Sequence, residues 1–365
     1  MNKISILLVG GYGVVGHQVT KILNKYQPDL ELIIAGRNID KAQSLSESLT
    51  NAKSLFFDIE KPALPNGLKI DIVLALVNDP EDKLLYFAHQ NNIAYVDITR
   101  WTERLQIALG KAIVMQNQKP SHMIFASSWM AGIVATFIND ISHSFISIDS
   151  IDSIDMSVLY SLNDKAGPDS VDYMDRLAIP FIVKNNGNYQ KVLPFSDERM
   201  VLFGDGNYHK VFRIDMPEQF ILPLITNAQT VATRIGFDSP KSNQLLSFLV
   251  KKGIWKLLSG RRATSLRRKI LYNPGQGYKH QIRADIQGVD KNGHRKSVCF
   301  HIIDSEGQTH LTATGAAALV IQLAEHIKKN SSAIFNTGEI FLDLEKLKML
   351  LSAEHIQFYI NDDIG

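Results

Sequence analysis

Residues 4–16 read Ile4-Ser5-Ile6-Leu7-Leu8-Val9-Gly10-Gly11-Tyr12-Gly13-Val14-Val15-Gly16, an apolar strand that breaks on glycines and turns at once into a helix. Few folds accommodate that join. Gly11 allows a tight strand-to-helix turn, Gly13 lets backbone approach a ligand closely, and Gly16 lets the helix pack against the strand. The helix from about Val14 carries unpaired N–H groups and the positive end of its dipole, which suits a diphosphate. A Gly-rich turn in any α/β protein is the plain alternative. Against it stand the apolar helix face Val15, Val19, Ile22 and Leu23, and a second strand, Glu31–Ala35, at the spacing of a βαβ unit. Gly10, Gly11, Tyr12, Gly13, Val14 and Val15 are therefore expected to cradle a dinucleotide.

The tip of the second strand chooses between dinucleotides, because the adenosine ribose lies beside it. An acidic residue there accepts from the 2′-hydroxyl of NAD, whereas an arginine accommodates the 2′-phosphate of NADP. The tip reads Gly36-Arg37-Asn38, with no carboxylate. Gly36 leaves room and Arg37 offers a planar cationic fork for phosphate, so NADP (NADPH) is the expected cofactor. The competing role for Arg37 is to start the next helix.

At 365 residues the chain has room for two domains. Its net charge of +2, from 39 basic and 37 acidic residues, gives no general basis for nucleic-acid binding. The single cysteine, Cys299, excludes an internal disulfide and fits a reducing compartment; it lies in an alternating run and reads as strand core. The opening apolar run is too short for a signal peptide and no segment approaches a membrane span, so a cytoplasmic protein is expected. No His/Cys cluster has metal-ligand spacing.

Up to about residue 145, strand and helix signals alternate, as a doubly wound parallel sheet requires. Strands are expected at 54–58, 71–77, 93–98 and 123–126, with helices at 40–49, 80–91 and 102–116. Ligands in such sheets sit beyond the carboxyl ends of the strands, which here carry Asp58, Val77, Asn78, Asp97, Thr99 and Trp129. Asp58, Val77 and Asn78, with Gly36, Arg37 and Asn38, complete the expected cofactor contacts. From about 146 the sequence becomes alternating and turn-rich, an α+β domain on a mostly antiparallel sheet, with Ile148–Asp155 as a loop feeding its first strand. Hairpin signals stand at Asn185–Asn188 and Asp290–Gly293. The small-residue segment from Thr312 is expected to return to the first domain. The division is thus 1–145 (Rossmann), 146–311 (substrate and dimerisation), and 312–365 (helices rejoining the Rossmann domain).

Four segments resemble the saccharopine dehydrogenase-like family: Val9–Gly16, Ile34–Asn38, Ala94–Thr99 and the Thr312–Ala318 helix, with Gly338–Leu342 similar to its closing segment. The resemblance implies a Rossmann domain, an inserted α+β domain bearing the substrate face, and nicotinamide-dependent redox chemistry at a carbon–nitrogen bond of an imine, amino-acid or opine-like substrate. A homodimer is the expected assembly. The chain departs from the family at Arg100-Trp101, where a glycine and an acidic residue are common, and at Ser127–Gly132, where a Pro-Gly turn is common.

Hydride transfer needs a group that polarises or protonates the atom gaining charge. Asp97 and Thr99, at a central strand end, are the first candidates; helix capping and loop support are their ordinary roles. Tyr173 and Arg176 follow in a polar loop suited to gripping a substrate carboxylate, against the alternative of a solvated helix cap. Tyr160 lies in the same domain, and His280 is a candidate acid. The substrate cleft is expected between Asn78, Asp97, Thr99 and Trp129 on one wall and Tyr160, Tyr173 and Arg176 on the other. The basic stretch 251–269 is a candidate contact for an anionic membrane or partner, with a solvated face as the favoured alternative. Two other functions stay open: a carbonyl or cyclic-imine reductase on this scaffold, and a non-catalytic NADPH-binding sensor or interaction protein.

Overall fold

The computed structural model describes residues 3–127, 129–145, 151–165, 176–257, 275, 277–329 and 331–364. Two units divide them: Met1–Ile133 with Thr312–Leu350, and Val134–Leu311 with Leu351–Gly365.

The first unit begins with β1 (Ser5–Val9), α1 (Val14–Tyr26), β2 (Glu31–Gly36), α2 (Ile39–Glu47), β3 (Ala52–Phe56) and β4 (Ile72–Ala75). It continues with α3 (Lys83–Gln90), β5 (Ala94–Arg100), α4 (Thr102–Gln118) and β6 (Met123–Ser127). Strands β1, β2, β4 and β6 are nearly continuous apolar runs, as strands of a parallel sheet buried on both faces are; Ile6, Leu7, Leu8, Val73 and Leu74 are fully buried. Every pairing in the sheet is parallel, in the order β3-β2-β1-β4-β5-β6, so the strand order reverses between β1 and β4. That reversal is the topological switch point, where the mouth for a ligand opens.

The second unit holds α5 (Ile133–Ser142, from its second residue), β7 (Ile151–Tyr160), the hairpin β8 (Phe181–Asn185) and β9 (Asn188–Val192), β10 (Arg199–Leu202) and β11 (Tyr208–Arg213). Then come α6 (Glu218–Thr226), β12 (Thr230–Phe237), α7 (Pro240–Lys251), β13 (His280–Val289) and β14 (Arg295–Asp304). Helix α8 (Gln308–Lys328) re-enters the first unit from Thr312, followed by β15 (Phe335–Thr337), which adds to β6 in parallel, and α9 (Leu344–Ala353). The chain ends in β16 (Gln357–Ile364). A seven-stranded sheet ordered β10-β11-β12-β7-β13-β14-β16 is antiparallel throughout except for β12 against β7. Both hairpin signals form turns: Asn186 and Gly187 are left-handed at φ 48° and 78°, as a type I′ turn requires, and Gly293 is left-handed at φ 83°.

Three boundaries differ from those read in the sequence. Helix α5 belongs to the second unit, because Phe137 stacks on Phe300 of β14 with ring centroids 4.6 Å apart. The tail does not stay with the first unit; residues 357–364 pair antiparallel with β14. Residues 151–155, read as loop, already form β7. The small-residue helix packs on the 129–133 segment: a Cβ on Gly315 would lie 2.9 Å from Ala131, Ile133 and the Met130 carbonyl, and Thr312 Oγ1 donates to the Trp129 carbonyl at 2.5 Å. No helix among the described residues is long and apolar enough to cross a membrane.

Candidate functional site

The glycine turn sits at the mouth of the β1/β4 reversal. Gly10, rather than Gly11, takes the left-handed conformation (φ 90°), and a Cβ there would lie 2.5 Å from Val77 Cγ1. Gly10 N–H donates to the Ala35 carbonyl at 2.8 Å, tying the turn to β2. A Cβ on Gly16 would collide with the Gly10 carbonyl, so the helix lies directly on the turn. Thr20 Oγ1 locks that approach by donating to the carbonyls of Gly11 and Gly16 at 3.0 and 2.8 Å.

Gly13 behaves differently. It is the N-cap of α1, is exposed, and a Cβ there would meet only the Gly10 carbonyl, at 3.1 Å. No side chain caps the helix, no acidic residue lies in its first turn, and Val14 is 41% exposed. The first N–H groups of a helix lack intrahelical partners, so this end is an open, positively polarised cradle at the switch point.

Tyr12 and the β2 tip meet in an arrangement the sequence did not disclose. The Tyr12 phenol lies over Gly36, where a Cβ would collide with its hydroxyl, and that hydroxyl accepts from the Asn38 backbone N–H at 3.0 Å. The ring also packs on Ile34, Ala42 and Leu45. Gly36 is therefore required by Tyr12; the room attributed to it is filled by the phenol. Asn38 caps α2, its Oδ1 accepting from Lys41 N–H at 3.0 Å, which leaves Arg37 exposed just ahead of the cap and outside the helix. Asp58 lies in the turn beyond β3, its Oδ1 accepting from Glu60 N–H at 3.1 Å.

The candidates at the ends of β4 and β5 are engaged in a buried charge network. Asp97 is 1% exposed, and its two oxygens accept from Tyr95 Oη (2.6 Å), Arg100 Nε (2.6 Å), Thr99 N–H (2.8 Å) and Thr99 Oγ1 (2.8 Å). Arg100, also 1% exposed, bridges Asp97 to Asp82. Asp82 holds a left-handed backbone (φ 61°) and also accepts from Lys111 at 2.6 Å. Burial alone would raise the Asp82 carboxyl, but Arg100 and Lys111 hold it below the ordinary range. Asn78 Oδ1 accepts from Arg104, which also donates to the Asp79 carbonyl. Asp79 in turn accepts from Leu84 N–H at 2.7 Å, so α3 starts at Lys83 and not at Pro80. Asp97 thus holds the Thr99 backbone and hydroxyl on one oxygen and Tyr95 and Arg100 on the other. Arg100 is a buried ion-pair partner of both Asp97 and Asp82.

In the second unit, Arg176 lies in a 3-10 turn with its guanidinium 3.9 Å from Asp215. Tyr173 and residues 258–269 of the basic stretch lie outside the described residues. Tyr160 Oη donates to the Lys165 carbonyl at 3.3 Å. His280 is fully buried, neither ring nitrogen has a hydrogen-bond partner among the described residues, and burial pushes its pKa down to about 3. It is neutral at physiological pH, so it carries no imidazolium to serve as an acid. The sequence missed the Asp79–Asp82–Arg100–Arg104 network; its signal was the pair of aspartates facing two arginines spaced i, i+4.

No family model matches the sequence, and no curated protein matches it. Solved structures do match. Apo saccharopine dehydrogenase (L-Glu forming) from Saccharomyces cerevisiae aligns over 99% of this chain and 100% of its own, with TM-score 0.66 and 10% identity. A meso-DAPDH mutant with DAP from Clostridium tetani covers 96% and 99% at TM-score 0.47 and 14% identity. Scyllo-inositol dehydrogenase from Lactobacillus casei with NAD(H) covers 99% of each chain at TM-score 0.47 and 11% identity. The all-parallel sheet with its switch-point cradle, joined to a mostly antiparallel second sheet, is a saccharopine dehydrogenase-like fold.

Proposed function

We propose that this protein is a nicotinamide-dependent oxidoreductase that uses NADPH and acts on a carbon–nitrogen bond in an imine, amino-acid or opine-like substrate. The observation that carries the cofactor reading is the Gly13 cradle: an uncapped, exposed helix N-terminus beyond the carboxyl end of β1, where a Cβ would meet almost nothing of the protein. The residues present fit a dinucleotide. Gly13, Val14 and Val15 would hold the diphosphate, Val77 and Asn78 would border the nicotinamide half, and Arg37 would pair with the 2′-phosphate. When bound, the nicotinamide supplies the carbon that gives or takes hydride. The chain's part is to fix that ring and exclude water, with the Asp97–Arg100–Asp82 network keeping the ends of β4 and β5 rigid. Arg176 and Tyr173 are proposed to grip the substrate carboxylate.

The substrate class rests on the resemblance of the sequence segments and on the shared fold, and a carbonyl or cyclic-imine substrate is the second reading. Titration calorimetry with NADPH tests the cofactor assignment. Gly13→Val should abolish binding, because the branched side chain fills the diphosphate position, while the thermal transition stays close to that of the parent. Unchanged affinity in that variant would reduce the glycine segment to a turn. Oxidation of NADPH on presenting paired amino and oxo acids, absent with simple ketones, would then favour the carbon–nitrogen reading.

A further inference from the structure

Helix α4 has two apolar sides. Leu105, Ala108, Ala112 and Met115 bury one of them within the first unit. Ile107, Ile113 and Val114 lie on the other, each more than half exposed, with the exposed Gly110 between them. At 3.6 residues per turn these side chains fall within about 60° of the line through Gly110. A glycine in a helix interior weakens the helix relative to alanine, and the packing of the unit does not call for one: a Cβ on Gly110 would have no atom of the described residues within 4 Å. The close approach that Gly110 permits is therefore to another molecule.

The order of residues along this face selects that molecule. Counted from Gly110, Ile107 stands at −3 and Ile113 at +3, and the polar Glu103 and Asn117 close the face at −7 and +7. The −4 and +4 positions are Gln106 and Val114. A two-fold axis through Gly110 maps −n of one copy onto +n of the other, so a face of like character at −n and +n is what an isologous contact requires. Antiparallel pairing sets Ile107 of one copy on Ile113 of the second, and the Glu103 carboxylate beside the Asn117 carboxamide, which donates. Parallel pairing would set Glu103 on Glu103, like charge on like charge. The face carries no Lys or Arg, and Lys111 at its flank is held by Asp82 at 2.6 Å and lies over the Tyr86 ring, so the surface does not suit an anionic membrane.

We propose that the protein self-associates through α4, the helices of two copies crossing antiparallel at Gly110. A contact of one helix pair buries less than the about 1,200 Å2 at which standard interfaces begin, so the two copies pair reversibly, over about 1–100 μM, and not as a permanent dimer.

Sedimentation velocity on the full chain across about that range should show a monomer–dimer equilibrium. Gly110→Leu should weaken pairing at least tenfold, because the side chain holds the helices apart; general hydrophobic adhesion would grow stronger with the added apolar surface. Ile113→Lys should weaken it similarly. Both positions are exposed, so the dilute variants should melt with the parent. With Cys299→Ser removing the native thiol, Gly110→Cys should form a disulfide-linked dimer on mild oxidation, as should a mixture of Glu103→Cys and Asn117→Cys chains. Glu103→Cys alone should not, since its two copies stand about 21 Å apart along the crossing, beyond the reach of a disulfide. A monomer throughout the range, or a dimer that Gly110→Leu leaves unchanged or strengthens, overturns the proposal. Glu103→Cys crosslinking as readily as Gly110→Cys overturns the antiparallel crossing.

Discussion

Replacing Asp97 by alanine separates a catalytic carboxylate from a structural one. The structure gives this carboxylate four donors and leaves it 1% exposed. Its removal strands two buried groups: the Arg100 guanidinium loses one of its two carboxylates, and the fully buried Tyr95 hydroxyl loses its acceptor at 2.6 Å. Breaking a buried ion pair from one side costs about 3–5 kcal/mol, and an orphaned buried hydroxyl about 1–3 kcal/mol. The two penalties share Asp97 and do not add in full, so a loss of about 3–5 kcal/mol is expected. For a unit of this size that lowers the melting temperature by about 6–20 °C. Trp101 and Trp129 both lie in the first unit and report its transition by fluorescence. The double variant Asp97→Ala with Arg100→Met should recover part of the loss, about 1–3 kcal/mol of coupling, because the charge left unpaired is gone as well. A variant that melts within a degree or two of the parent yet loses turnover would refute the structural reading and restore Asp97 as a reacting group.

Arg37→Asp should weaken NADPH binding by more than about 1.5 kcal/mol, the scale of a hydrogen bond to a charged group, while leaving NADH affinity largely intact; calorimetry with both nucleotides reads this, and parallel losses would exclude a 2′-phosphate contact. His310 supplies a pH dependence. Burial opposes its charge, but Asp304 at 2.8 Å and Glu354 at 3.1 Å outweigh it and raise its pKa to about 9. A folded-state pKa above the unfolded value gives stability that is full below about pH 6.5 and is lost as pH rises through about 9. The shift from 6.5 to about 9 is worth about 3 kcal/mol at most. Urea midpoints of the second unit, followed through Trp255, should fall across that interval in the parent and stay level in His310→Gln; identical slopes in both would remove His310 as the cause.

The first unit was legible in the sequence because its signals are local. Parallel strands buried on both faces must be apolar throughout, and the glycines sit where the backbone has no alternative, so β1, α1 and β2 could be read directly. The second unit hid its elements where partners distant in sequence supply the stabilisation. Strand β12 contains Arg234 and Gly236, poor strand residues by themselves; Arg234 is fully buried because Asp155 and Asp197 neutralise it, and Gly236 is demanded by the Lys210 carbonyl. Strand β16 mixes Phe358, Tyr359 and Ile360 with Asn361, Asp362 and Asp363 at the chain's end, and pairs with β14, which is distant in sequence. The same holds at the candidate site. The cradle and the Arg37 tip follow from spacing, whereas the Tyr12–Gly36 contact and the full engagement of Asp97 depend on which side chains the fold brings together. Cys299 lies in β14 as its alternating run suggests, half-buried on the face opposite Val298 and Phe300, a choice of face that alternation alone does not settle.

Calorimetric titration of the parent protein with NADPH and, separately, NADH tests the central claim most directly. Saturable binding of both, with NADPH tighter by about tenfold or more (about 1.4 kcal/mol), is the expected result, since Arg37 stands exposed at the β2 tip and no carboxylate occupies it. Failure to bind either nucleotide, or equal affinity for the two, would contradict the account: the first outcome at the Gly13 cradle, the second at Arg37.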